Sequence, residues 1–424
     1  MVSQKPQFFK EIGIKSALPD GLFAPLAILT PKLCLTYTFF HREKASTGPE
    51  NAVKSRKTVK MEQKGNIYVC HTFYHAFVAF LKELNLPKEE RGHSALVLSS
   101  ISNDFEDLAD RVRKGNVFAA AYEFDEKKDD FFPELAKYKI DHGNILANMR
   151  SRIIYTRKFA KLQEAYVPVD FRKYKDIYVF CDQDPIGIYL NQHRIHYHAM
   201  EDGLNYLKPF IPAKFDNRGH FGLKKFFSMN LNLIFIRDGY SKYCLDMEVN
   251  DLSVVDDEFY KYKEVPRKAL VDNLDAAGKA EIVKTFISNY DRLVSVVGQK
   301  ESGRKSIVIL TEPLCTFDVR ERIFRDLIDK YSKEGQVFLK PHPRDDLSYK
   351  TLFPEVTVFE RSIPMEVFNF LDEVKFDKVV SVFTPLDFVH FANEKESLGE
   401  DFMDRYEDPS VHRKKEIMEA EAKK

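Results

Sequence analysis

The chain has 424 residues, 44% hydrophobic and 31% charged, an ordinary globular composition with enough length for two or three cores. Lys+Arg and Asp+Glu both number 65, and this zero net charge argues against a general nucleic-acid binder. Five scattered cysteines (Cys34, Cys70, Cys181, Cys244, Cys315) without a CxxC argue against a disulfide framework or a structural zinc site and fit a reducing compartment.

In chain order, the opening MVSQKPQFFKEIG lacks the apolar core of a secretory signal. LFAPLAILTPKLCLTYTFF (22–40) is apolar, but Pro25, Pro31 and Lys32 make it a poor membrane-spanning helix. It reads as a segment packed on a domain or resting on a membrane surface. A polar, basic linker follows, so residues 1–62 form an N-terminal extension. NIYVC (66–70) reads as a strand, and FYHAFVAFLKELN as the helix after it, with His71 and Thr72 at the turn. SALVLSS (94–100) and DIYVFCD (176–182) are further strands, NLNLIFIRDG (230–239) with YSKYCLDM suggests a hairpin, and residues 63–264 make a first Rossmann-like domain.

The helical stretch 265–302 bridges to a second alternating series. It comprises SIVILTE (306–312), the helix VRERIFRDLIDKYS, strands QVFLKPHP (336–343) and VTVFE (356–360), the helix PMEVFNFLDEV and the strand KVVSVFTP (378–385). This second Rossmann-like domain spans 303–395, and 396–424 is a charged helical tail. The expected fold is therefore α/β, with two Rossmann-like domains facing each other across a cleft. No GxGxxG or GxxxxGK[ST] occurs and glycine is scarce (17), which excludes a glycine-rich phosphate cradle.

Three short motifs carry the chemistry. KPHPRDD (340–346) puts His342 just past a strand, where α/β sheets bind ligands. Pro341 and Pro343 fix the backbone around it, while Lys340 and Arg344 suit a phosphate; the plain reading is a satisfied loop histidine. SVFTPLDF (381–388) offers the Ser381 and Thr384 hydroxyls and helix-start N–H groups as a phosphate seat, or simply an N-cap. Glu366 lies in a first helical turn, suiting either the macrodipole or a ribose. In HYHAMEDGLNYLK (196–208), Gly203 would turn the chain so that Glu201, beside Asp202, projects into the cleft as a base; read alone, it is an acidic turn.

EDG in the first half, HP after a strand in the second and a Ser/Thr pair after a later strand form an ordered trio. It resembles the bacterial GT-B sialyltransferases of the lipooligosaccharide sialyltransferase and capsular polysialyltransferase type, over roughly residues 66–390, and NIYVCHTFYHAFVAFLK looks like that family's first strand and helix. The resemblance implies an inverting, metal-independent transferase with no cofactor, which moves a sugar from a CMP-activated donor to a hydroxyl of a cell-surface glycan or glycolipid. Glu201 then matches the general base, in preference to Asp202, and His342 the histidine that assists phosphate departure. Lys340, Pro343, Glu366, Ser381 and Thr384 fall on the donor side, and His71, Thr72, Asp202 and Gly203 near substrate. The family often has adjacent hydroxyl residues where Val382 and Phe383 here separate Ser381 from Thr384. A cytoplasmic location is expected, with peripheral contact at the inner face of the cell membrane; GHFGLKKFF (219–227) suits such contact, or an ordinary packed helix.

Three alternatives remain open at this stage. Asp182-Gln183-Asp184 after a strand could hold a divalent metal as a DxD motif, although Pro185 favours Asp184 as a helix cap. The His-Pro pair also suits a CDP-polyol phosphotransferase. A catalytically inactive polysaccharide-assembly protein would keep the same fold.

Overall fold

Two wholly parallel sheets, built from short runs of β-branched and aromatic residues, organise the chain. The computed structural model describes residues 64–208, 210–298 and 303–413. The extension 1–62, its apolar run and the end of the charged tail lie outside the described residues.

The first sheet contains β1 (Ile67–Cys70), β2 (Ala95–Ser99), β3 (Ala120–Phe124), β4 (Ile177–Phe180), β5 (Tyr197–Met200), β6 (Cys244–Val249) and β7 (Tyr262–Glu264), in the order β3-β2-β1-β4-β5-β6-β7. The second contains β8 (Lys305–Leu310), β9 (Gly335–Lys340), β10 (Thr357–Val358), β11 (Phe376–Ser381) and β12 (Ala392–Ser397), in the order β10-β9-β8-β11-β12. Every residue of β1 and β2 is buried, as expected for strands with helices on both faces. In each sheet the order reverses beside the first strand, between β1 and β4 and between β8 and β11. At these reversals the connections leave in opposite directions and open a crevice at the carboxyl ends of the strands. This is the GT-B architecture of two Rossmann-like units.

The halves meet through aromatic packing. Phe77, on the helix Phe73–Leu84, lies 6.4 Å from Phe286 of the bridging helix Ala276–Phe286 and 6.0 Å from Phe370 of the second half. Ser288 donates to Glu360 at 3.0 Å, and Arg361 approaches Glu106 at 3.8 Å across the same seam.

Four expectations change. The hairpin at 230–239 is absent: Asn232 and Asp238 adopt left-handed backbone and break the extended run, while β6 pairs parallel with β5. PMEVFNFLDEV forms only the 3-10 helix Met365–Phe370, entered from Pro364. The second sheet runs to Ser397, because β12 continues into charged sequence on an edge strand that packs few side chains. The helix Ile145–Gln163 and strands β3, β5 and β7 also went unrecognised; they are polar, short or irregular in period. No helix among the described residues is long and apolar enough to cross a membrane.

Candidate active site

The first crevice gathers side chains from the ends of β1, β3, β4 and β5. His71 follows β1, and its buried Nε2 lies 3.0 Å from Glu126 Oε2 and 3.5 Å from Asp184 Oδ2. Burial alone would depress His71, but Asp184 and Glu126 outweigh it and bring the ring to about 9. Glu126 also takes the Ser99 hydroxyl (2.6 Å) and the Ile186 N–H (2.6 Å). It thus caps the helix Pro185–Gln192, a task expected of Asp184, whose side chain makes no cap bond. Gly187 lets the start of this helix fold close against the Asp182 backbone, since a Cβ there would lie 1.9 Å from the Asp182 carbonyl oxygen. Thr72 caps the helix Phe73–Leu84 by accepting the His75 N–H at 3.1 Å.

Helical spacing places His75 one turn beyond His71. Its Nδ1 accepts the His71 backbone N–H (3.1 Å), so its proton resides on Nε2. That N–H reaches the Asp202 carbonyl oxygen at 2.7 Å and Asp202 Oδ1 at 3.0 Å. The ring stacks on Phe180 at 4.5 Å, and burial pushes its pKa down, so it is a neutral donor. Burial pushes the Asp202 carboxyl up, but the bond from His75, the Cys181 thiol and the Arg344 charge hold it well below the usual range.

The two carboxylates of the acidic pair point in different directions. Glu201, 2% exposed, turns inward. Its Oε2 accepts the Asn250 N–H at 2.7 Å, and the Tyr206 and Leu207 N–H groups lie near enough to favour its charged form. Burial raises its pKa and those donors oppose the rise. The Asp202 side chain is 33% exposed and is the carboxylate at the crevice. Gly203 has no positive φ, and a Cβ added there would meet nothing within 4 Å, so it leaves room beside Asp202 rather than forcing the turn.

The second crevice centres on His342 after β9. Its N–H donates to Thr311 Oγ1 (3.2 Å), and its Nδ1 accepts the Arg344 N–H (3.1 Å), leaving Nε2–H as the outward donor. Burial, Arg344 and Lys340 lower the ring to about 3. Asp345 anchors this loop from below, accepting from Thr311 (2.8 Å), Arg320 (2.7 Å) and Tyr349 (2.6 Å). Burial lowers Lys340 to about 7, partly offset by Glu366 and Glu360, and its Nζ donates to the Pro341 carbonyl. Glu366 is half-buried and raised by desolvation. Charges reach across the halves: Asp202 feels Arg344, and Tyr74 feels both Arg267 and Glu366.

The loop after β11 differs from the expected phosphate seat. Ser381 Oγ donates to the Thr384 carbonyl oxygen at 2.7 Å. The Phe383 and Thr384 N–H groups donate to Glu312 Oε1 at 2.9 and 2.7 Å, so a carboxylate from the end of β8 already occupies this anion-binding turn.

His71, His75 and Cys181 bring potential metal-ligating atoms within 4.8 Å of one another. The hydrogen-bond geometry fits a metal poorly, because His75 Nε2 carries a proton and burial keeps the Cys181 thiol protonated. The DxD pair is also split: Asp182 points inward to the Asp238 N–H (2.9 Å) and Tyr197 hydroxyl (3.2 Å), while Asp184 faces His71. Sequence reading missed His75, Glu126 and Glu312. The spacing of His71 and His75 was the available signal for the first; the other two depend on long-range packing.

The family model for glycosyltransferase family 52 matches residues 124–395, nearly two thirds of the chain. An uncharacterised Haemophilus influenzae protein is 35% identical over 86 residues, 19% of this chain, and the match spans 28% of that relative's length. Among solved structures, an alpha/beta-galactoside alpha-2,3-sialyltransferase from Photobacterium phosphoreum aligns with TM-score 0.45 and 11% identity, covering 78% of this chain and 89% of that one. A Photobacterium damselae sialyltransferase aligns with TM-score 0.43 and 13% identity, covering 76% and 87%. A 2,6-sialyltransferase from a Photobacterium species, held with the donor product CMP and the acceptor lactose, aligns at 0.40 and 11%, covering 78% and 71%.

Proposed function

We propose that this chain, which belongs to glycosyltransferase family 52, is a sialyltransferase-like enzyme that carries a sugar from a CMP-activated donor to a hydroxyl of a cell-surface glycan or glycolipid. The observation that carries the reading is the pairing of His75 with Asp202 at the first crevice, within electrostatic reach of the His342–Arg344 loop at the second.

Asp202 takes the acceptor hydroxyl proton as that oxygen bonds to the anomeric carbon. The bond from anomeric carbon to phosphate oxygen breaks on the opposite face, inverting the centre, and its electron pair leaves with CMP. His342 Nε2–H and the Arg344 guanidinium receive the developing phosphate charge. The neutral His342 ring acts as a hydrogen-bond donor before the phosphate arrives, and the added negative charge raises its basicity. Glu201 is a positioning residue that holds the Asp202 loop. Lys340, Pro343 and Glu366 border the nucleoside, His71 steadies the first crevice, and Ser381 and Thr384 shape the β11 loop that Glu312 ties down. This chemistry needs no metal, since Asp202 is already ionised and the neutral His342 Nε2–H and the Arg344 guanidinium stand ready for the leaving group.

The test is transfer from CMP-, CDP-, UDP- and GDP-sugars, with and without chelator, by wild type, Asp202→Asn and His342→Ala. Chelator-insensitive transfer from the CMP donor alone, lost in both folded variants, supports the reading. Near-normal turnover in either variant defeats the site assignment, and transfer only from another nucleotide defeats the donor class.

A further inference from the structure

We propose that the amino ends of β5 and β6, with the helix Phe221–Met229, form a docking face for an anionic lipid bilayer. That helix is apolar on the side away from the protein: among its described residues only Ser228 is buried, while Leu223 and Phe226 are 49% and 48% exposed. Leu245 and Tyr260, the latter 75% exposed, lie beside Lys225 and Met229 of this helix, and exposed Leu231 follows its end. Solitary exposed apolar side chains are ordinary, but a series within one stretch of fold marks a contact surface.

The charged residues lining the two cavities on this surface are mainly cations, although the whole chain is neutral. An open cavity of about 580 Å³ beside Leu231 is lined by Arg157, Lys161, Arg194 and Lys242, with Glu164 as its one acid. A second cavity shares Lys242 and is lined by Lys225, Leu245 and Tyr260. Alternating lysine and arginine with exposed leucine, phenylalanine and tyrosine is the chemistry of an interfacial surface, where rings and aliphatic groups enter the headgroup layer and cations meet anionic lipid. Two copies paired through this face would set cations against cations, so charge complementarity favours the bilayer over self-association.

Its position is compatible with catalysis. Arg194 precedes β5 and Lys242 precedes β6, whereas Asp202 follows β5. All these strands are parallel, so a face at their amino ends leaves the crevice at their carboxyl ends open. The inference does not depend on the identity of the sugar donor.

Flotation of the full chain with vesicles of phosphatidylcholine, alone or mixed with phosphatidylglycerol, tests the proposal. Binding is expected only to the phosphatidylglycerol mixture and should weaken with salt. Arg157→Gln with Lys242→Gln should lower partitioning by about 25-fold, at about fivefold per charge. Leu223→Ser with Phe226→Ser should reduce it as well, and both double variants should retain wild-type melting and turnover of a soluble acceptor. Equal flotation of the variants and wild type, or no binding to the mixed vesicles, overturns the proposal. So does a wild-type dimer that Leu223→Ser with Phe226→Ser dissolves without any vesicle binding, which would assign the face to a second copy.

Discussion

Replacing His75 with Phe isolates the bond that orients the proposed base. The aromatic ring can keep the 4.5 Å stack on Phe180, but the Nε2–H bonds to Asp202 and the Nδ1 acceptor for the His71 N–H both vanish. Of the two contacts from Nε2, only the 3.0 Å one reaches the carboxylate. A hydrogen bond to a charged group contributes about 1.5–3 kcal/mol, and 1.36 kcal/mol corresponds to one pKa unit, so the Asp202 pKa should rise by about one to two units. The native carboxyl lies below its usual range, so its stabilisation is present above the unfolded pKa of about 3.9 and is lost as pH falls through the lower native value. His75→Phe removes part of that stabilisation and leaves a buried N–H without its acceptor, a loss of about 1–3 kcal/mol. The assay is kcat/KM against pH, whose acidic limb reports the free-enzyme base. The limb should move upward, and the plateau should fall about ten- to a hundredfold as Asp202 loses its orientation. An unmoved acidic limb in a folded variant would refute the coupling of His75 to the base.

Asp202→Asn should lower turnover by about 10²–10⁴ with little change in melting, whereas Glu201→Gln should chiefly lower thermal stability, by about 1–3 kcal/mol, because a neutral acceptor replaces the charged one for the Asn250 N–H and the new amide N–H₂ is buried without a partner. The reverse pattern in melting and turnover measurements would restore Glu201 as the base. Asp345→Asn should destabilise the second half by about 3–5 kcal/mol, because it breaks the buried pair with Arg320 that also supports Thr311 below His342; calorimetry checks this. Zinc should not raise the melting temperature at stoichiometric concentration, since His75 Nε2 would first have to surrender its proton; a clear zinc-dependent rise would revive the metal reading.

The alternation of short apolar strands with amphipathic helices was legible without coordinates, because buried parallel strands and helix faces impose their own spacing. So was the position of His342: a Pro-His-Pro run directly after QVFLK leaves the carboxyl end of a strand, because proline ends the ladder. The polar helix Ile145–Gln163 and the short strands β3, β5 and β7 were obscure, since local sequence does not reveal which neighbour will cover a brief or polar segment. The hairpin failed for a related reason: buried Ile234 and Ile236 suggest a strand, but left-handed Asn232 and Asp238 interrupt it.

By itself, the sequence determined that two Rossmann-like halves exist and that EDG, HP and the Ser381–Thr384 loop lie on connections leaving their strands. Which of their side chains are exposed at the crevices was decided only by tertiary structure. The β5 ladder continues past Met200 through the Glu201 N–H to the Glu248 carbonyl oxygen, so alternation sends neighbouring side chains to opposite sides. Glu201 turns to the buried Asn250 N–H, and Asp202 bonds His75 while keeping its carboxylate 33% exposed at the crevice. At the other crevice, the N–H groups after β11 were readable as an anion seat, although they lie in a turn and not at the expected helix start, but not the Glu312 carboxylate that fills it from 71 and 72 residues away. Such pairings arise where distant strand ends converge, and strand order in space, rather than residue order in the chain, selects the partners.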